Sequence, residues 1–72
     1  MSKGTMPRHL WNQLRLNRTL EEMAALTDLY RREQNALARW KRAHGDPKKV
    51  ALAHARLMQA RDAWVAAVKA TA

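Results

Sequence analysis

Seventy-two residues are enough for one small domain, and a chain of this length buries only about 60% of the surface it exposes when unfolded. Side chains able to build a core are scarce: twenty large apolar residues, with no Phe and no Ile, stand against fourteen alanines, a composition that favours close-packed helices over a thick core. The lack of Cys excludes disulfides, thiolate catalysis and Cys-type zinc sites, while fourteen Lys and Arg against six Asp and Glu leave a net charge of +8 that an anionic partner would relieve.

Residues 1–18 carry four basic groups and no acid. Within them Leu10, Trp11 and Leu14 fall at helical spacing after Pro7, which is read as a first-turn residue. The segment is expected to form a basic arm or short helix, with Arg8, Arg15 and Arg18 as its cations. Leu10, Trp11 and Leu14 then serve as an apolar anchor for a partner, or complete a bundle as a third helix. Lys3 is not followed by a continuous apolar run, and no stretch approaches the roughly 20 apolar residues that span a bilayer. The expected setting is therefore cytoplasmic, nucleoid association included, without a membrane.

A first long helix is predicted over residues 19–44. Thr19-Leu20-Glu21-Glu22 matches a capping box, the acids precede the last turns, and Arg39, Lys41, Arg42 and His44 crowd the end, as the helix dipole favours. Met23, Leu26, Leu29, Tyr30, Leu37 and Trp40 share its apolar face, with Trp40 and Trp64 read as packing residues. Glu33 interrupts that face and is expected to reach Arg61 on the second helix, ahead of the alternative that it stays unpaired until a partner supplies the cation. Arg32, Asn35, Arg39 and Arg42 recur at steps of three, four and three on a face directed away from the apolar one, with Arg31 beside it. Such a row of guanidinium groups suits phosphate oxygens, although an Asp28–Arg32 pair at i,i+4 would account for part of it as an ordinary solvated face. A helix-turn-helix, with Thr19 to Thr27 as opening helix and Arg31 to Arg42 as recognition helix, ranks below a continuous helix. The presumed turn has no glycine and the apolar face keeps its phase through it.

His44-Gly45-Asp46-Pro47 is the main punctuation of the chain. Gly45 suits a left-handed C′ residue closing the first helix, Asp46 an N-cap and Pro47 a first turn, so the two long helices must lie antiparallel.

The second long helix, residues 47–70, adds Lys48 and Lys49 to the cations. Val50, Ala53, Leu57, Ala60, Trp64, Ala67 and Thr71 alternate in steps of three and four, a seam whose alanines admit a close neighbour. Met58 and Val65 form a second apolar strip that needs a cover, and the N-terminal segment is the nearest candidate.

The fold class expected is all-α: one domain over 1–72, an antiparallel helical hairpin with a short N-terminal helix or arm packed on it. His9, His44 and His54 are too dispersed for a metal site, the two glycines cannot build a phosphate loop, and the Ser and Thr hydroxyls lie at terminal, capping or surface positions. An enzyme and a cofactor are accordingly not expected. The expected function is that of a small accessory factor on a nucleic-acid-handling complex, most concretely a transcription regulator docking on an acidic surface of RNA polymerase beside nucleic acid. Its nominated contacts are Arg8, Arg15, Arg18, Arg31, Arg32, Arg39, Arg42, Lys48 and Lys49. Two rival readings are direct, sequence-tolerant DNA or RNA binding and a monomer that pairs into a four-helix homodimer through Met58 and Val65.

Overall fold

A computed structural model describes residues 6–72, which form three helices: α1 (Arg8–Arg15), α2 (Leu20–Arg42) and α3 (Pro47–Ala70). The positions of Ser2, Lys3, Gly4 and Thr5, weighed above for signal, loop and hydroxyl roles, lie outside the described residues. α2 and α3 pack as a hairpin and α1 packs on α2.

The helix ends follow from local chemistry. Thr19 Oγ1 accepts from the Glu22 N–H at 3.1 Å while Glu22 Oε1 accepts from the Thr19 N–H at 2.9 Å, the predicted capping box. Asp46 Oδ1 accepts from the Lys48 N–H at 3.0 Å and Pro47 occupies the first helical position of α3. Two boundaries differ from expectation. α2 ends at Arg42 because Ala43 already leaves helical space (φ −77°, ψ 106°), donating its N–H to the carbonyls of Arg39 and Trp40. Gly45 is left-handed as expected (φ 77°), but it lies beyond the cap and reverses the chain in the linker instead of closing the helix. At the other end Pro7 is the N-cap of α1 and precedes its first turn, its carbonyl accepting from the Trp11 N–H at 3.0 Å. α2 runs without interruption through Asp28, Leu29 and Tyr30, which rules out the helix-turn-helix.

Every residue of the predicted seam, from Val50 to Thr71, is buried or half-buried. Two cross-helix ring contacts set its antiparallel register: Tyr30 meets Trp64 edge-on at 5.5 Å and Trp40 meets His54 at 5.8 Å. The best-protected side chains are Met23 and Leu26, each 1% exposed, near the end of α2 against which α1 packs; Met6 and Leu57 complete the buried set among the described residues. Arg18 closes the open end of the hairpin. Its guanidinium donates from Nε to Thr71 Oγ1 at 2.7 Å, from Nη2 to the Val68 carbonyl at 2.8 Å and from Nη1 to the Leu14 carbonyl at 2.9 Å. One side chain thus serves the carbonyl-rich C-terminal ends of both α1 and α3.

The extents, 43 × 28 × 15 Å, describe a plate-shaped molecule. Its accessible surface is 5698 Å², against about 4,600 Å² for a compact monomer of this mass. Two expectations are corrected. No Cα of α1 comes within 8 Å of one in α3, so the N-terminal helix is no lid for the Met58–Val65 strip, and Val65 stays 39% exposed. Trp40 packs on His54 across the helices, as its spacing predicts, while remaining 36% exposed at the hairpin tip. Glu33 forms no salt bridge with Arg61 or any other cation among the described residues, and takes one weak hydrogen bond from Gln34 Nε2 at 3.5 Å. Being only half-buried it keeps access to water, so no cation is needed to offset its charge.

Candidate nucleic-acid interface

The seam alanines that bring α2 and α3 together leave a shallow groove along one flank. Ala36 and Ala53, both half-buried, form its floor, and its walls carry Arg32, Asn35 and Arg39 from α2 and Lys49, Leu52 and Arg56 from α3. The volume is about 410 Å³. Arg32 and Arg39 lie seven residues apart on α2, as do Lys49 and Arg56 on α3, so each wall presents cations about 10.5 Å apart, two helical turns. The register set by Tyr30–Trp64 and Trp40–His54 brings the two rows together. Arg39 and Arg56 stand nearly level across the middle of the groove, with Arg32 towards one end and Lys49 towards the other.

No acidic side chain lines the groove. Asp28 is the nearest modulator: its Oδ2 holds Arg32 Nη2 at 3.0 Å and its Oδ1 holds Arg31 Nη2 at 3.0 Å. Both are exposed helix pairs of the i,i+3 and i,i+4 kind, worth little in stability, but they occupy donors that a phosphate would use. Arg39, Lys49 and Arg56 form no salt bridge among the described residues. Around the outside of α2 the basic surface continues from Asn35 and Arg39 to Lys41 and Arg42, where Arg42 Nε makes one long hydrogen bond to the Ala38 carbonyl, 3.4 Å.

Of the nine cations nominated from sequence, Arg32, Arg39 and Lys49 are brought together in the groove and Arg42 adjoins it. The row on α2 borders the helix junction instead of pointing directly away from it. Arg31 is exposed but held by Asp28. Lys48 lies exposed in the first turn of α3, outside the groove. Arg8 is exposed at the start of α1, and the Arg15 guanidinium lies over the Trp11 ring at 5.1 Å. Arg18 commits three of its five N–H donors to Leu14, Val68 and Thr71, at the open end of the hairpin and outside the groove. Leu10, Trp11 and Leu14 are half-buried, whereas Leu16 (81%) and Leu20 (65%) are the apolar side chains left open at the α1–α2 turn.

Sequence reasoning missed Arg56 and Leu52. The signal was available: Lys49, Leu52 and Arg56 follow steps of three and four along one edge of the seam, the counterpart of Arg32, Asn35 and Arg39. Among the described residues no group of three His, Asp or Glu side chains is placed to hold a metal ion, and no helix is long and apolar enough to cross a membrane. No protein-family model, curated protein or solved structure matches this chain.

Proposed function

We propose that this protein is a small non-enzymatic accessory factor that binds the phosphate backbone of nucleic acid within a nucleic-acid-handling complex. The observation that carries this reading is the acid-free groove in which α2 and α3 bring Arg32, Arg39, Lys49 and Arg56 together. Three of those four are guanidinium groups, whose planar donors meet phosphate oxygens in pairs and never lose their charge. The net charge of +8 adds long-range attraction to any polyanion. A transcription complex is the setting proposed. There the apolar side chains left open at the α1–α2 turn, Leu16 and Leu20, would seat on an apolar patch of a polymerase surface whose acidic surroundings attract the basic protein, while the groove faces nearby phosphates.

Fluorescence anisotropy of labelled oligonucleotides against a salt series tests the phosphate half of the proposal. Affinity that falls log-linearly with salt, with a slope reduced by Arg39→Ala and by Arg56→Ala, supports it. Affinity indifferent to salt and to both substitutions overturns it. Capture from extract with and without nuclease tests the complex: a polymerase retained after nuclease treatment supports docking, and loss of every protein on nuclease treatment leaves direct nucleic-acid binding as the function.

A homodimer is a second reading favoured by one observation, the exposed Val65 beside Met58 on the flank that α1 leaves uncovered. Sedimentation equilibrium decides it, since a strict monomer at high concentration excludes the four-helix assembly.

A further inference from the structure

Resting on the phosphate-binding reading, we infer that the groove takes a single unpaired strand in preference to a duplex. The argument lies in what separates the cations. On the α3 wall Leu52, 54% exposed, stands between Lys49 and Arg56; the floor is Ala36 and Ala53; and on the α2 wall the Asn35 amide stands between Arg32 and Arg39. In cross-section the groove is apolar at its base and cationic along its edges. A ligand that fits must present an apolar or planar face inward and anionic groups to both sides.

A duplex cannot do this, because its bases are paired and stacked within it and only the phosphate ridge would enter, bringing charge against Ala36, Ala53 and Leu52. An unpaired strand can turn bases or sugars onto the apolar base while its phosphates meet the cations on both walls. Asn35, carrying both a donor and an acceptor, can then meet a base edge that pairing would otherwise occupy. The groove runs about 20 Å from Arg32 to Lys49, since the register of the two ring contacts sets Lys49 about thirteen helical residues beyond Arg32 along the α2 axis. It accommodates a short run of nucleotides, within the footprint of a small single-strand site.

The test uses the full chain and three probes at one salt concentration: a labelled mixed-sequence 20-nucleotide strand, the same strand annealed to its complement, and poly-L-glutamate as competitor. Expected is binding of the single strand about tenfold tighter than of the duplex. Leu52→Ala should weaken the single strand about fivefold and leave the duplex unaltered, reflecting loss of apolar contact. Arg39→Ala should weaken both. Because Leu52 is exposed, Leu52→Ala is expected to keep its helical circular dichroism, and Asn35→Ala provides an independent variant with the same expected selectivity. Equal or tighter duplex binding overturns the inference while leaving the phosphate-binding reading intact. Displacement of the strand by poly-L-glutamate at equal charge overturns the commitment to nucleic acid, and absence of binding to either oligonucleotide overturns both.

Discussion

Arg18 and Thr71, fifty-three residues apart, are joined by a 2.7 Å hydrogen bond from the guanidinium Nε to Oγ1. Thr71 Oγ1 in turn donates to the Ala67 carbonyl at 2.8 Å, so the last turn of α3, the turn before α2 and the end of α1 share one network. Cutting it should loosen the end of the plate opposite the linker. Arg18→Ala is expected to cost about 2 kcal/mol, the range of charge-assisted hydrogen bonds in partly buried positions, read as a lower midpoint in urea or thermal melts. Thr71→Val keeps the shape and should cost less. Neither change should alter the salt slope of nucleic-acid binding; a slope lowered as strongly as by Arg39→Ala would return Arg18 to the binding surface.

The groove cations should act independently of stability. Arg32→Ala, Arg39→Ala, Lys49→Ala and Arg56→Ala are each expected to change stability by no more than about 0.5 kcal/mol, as exposed helix substitutions do. Each should reduce the single-strand salt slope by about 0.7. Arg8→Ala, on α1 and away from the groove, serves as the control for charge alone: a slope reduced as much as by Arg56→Ala would mean that net charge, with no defined site, governs binding.

Asp28 restrains two guanidinium groups at once. Asp28→Asn removes one negative charge and frees Arg31 and Arg32, so affinity for oligonucleotides should rise about threefold or more at low salt, with the gain fading as salt rises. Stability should fall by no more than about 0.5 kcal/mol, because both pairs are exposed. Anisotropy titrations at two salt concentrations check the sign.

Met23 and Leu26, the best-protected side chains, should be the most sensitive positions. Leu26→Ala is expected to cost about 2–5 kcal/mol, a large share of what a domain this size possesses, and circular dichroism should show substantial loss of helix at 25 °C. Val65→Ala, on the exposed flank, should be nearly silent in a monomer. A marked destabilisation by Val65→Ala, dependent on protein concentration, would instead reveal the dimer.

Gly45 separates backbone strain from crowding. A Cβ there meets nothing within 4 Å, yet φ is 77°, so Gly45→Ala is expected to cost about 1 kcal/mol through conformation alone. Gly45→Asn, which tolerates the left-handed region better, should recover part of that loss in the same melt.

The hairpin was legible in the residues because its determinants are local. The capping box at Thr19 and Glu22, the Asp46-Pro47 start and the three-four spacing from Val50 to Thr71 each act within a few residues, through hydrogen bonds and side-chain directions that a helix imposes wherever it forms. The left-handed Gly45 was legible for the same reason. Its place relative to the helix end was not, since Ala43 leaves helical space with no special side chain to announce it.

What only the tertiary structure decided depends on pairs far apart in the chain. Arg18 reads as one more cation until α3 brings Val68 and Thr71 to it. Glu33 was expected to reach Arg61, but it stays half-buried with access to water and without that ion pair. Trp40 had core spacing and packs on His54, yet the hairpin tip leaves it 36% exposed. Composition and spacing therefore determined the two long helices, their antiparallel order and the excess of positive charge, and left the N-terminal segment open between arm and helix. The packing of α2 on α3 decided which charges stand together, because a groove has two walls and each helix carries only one.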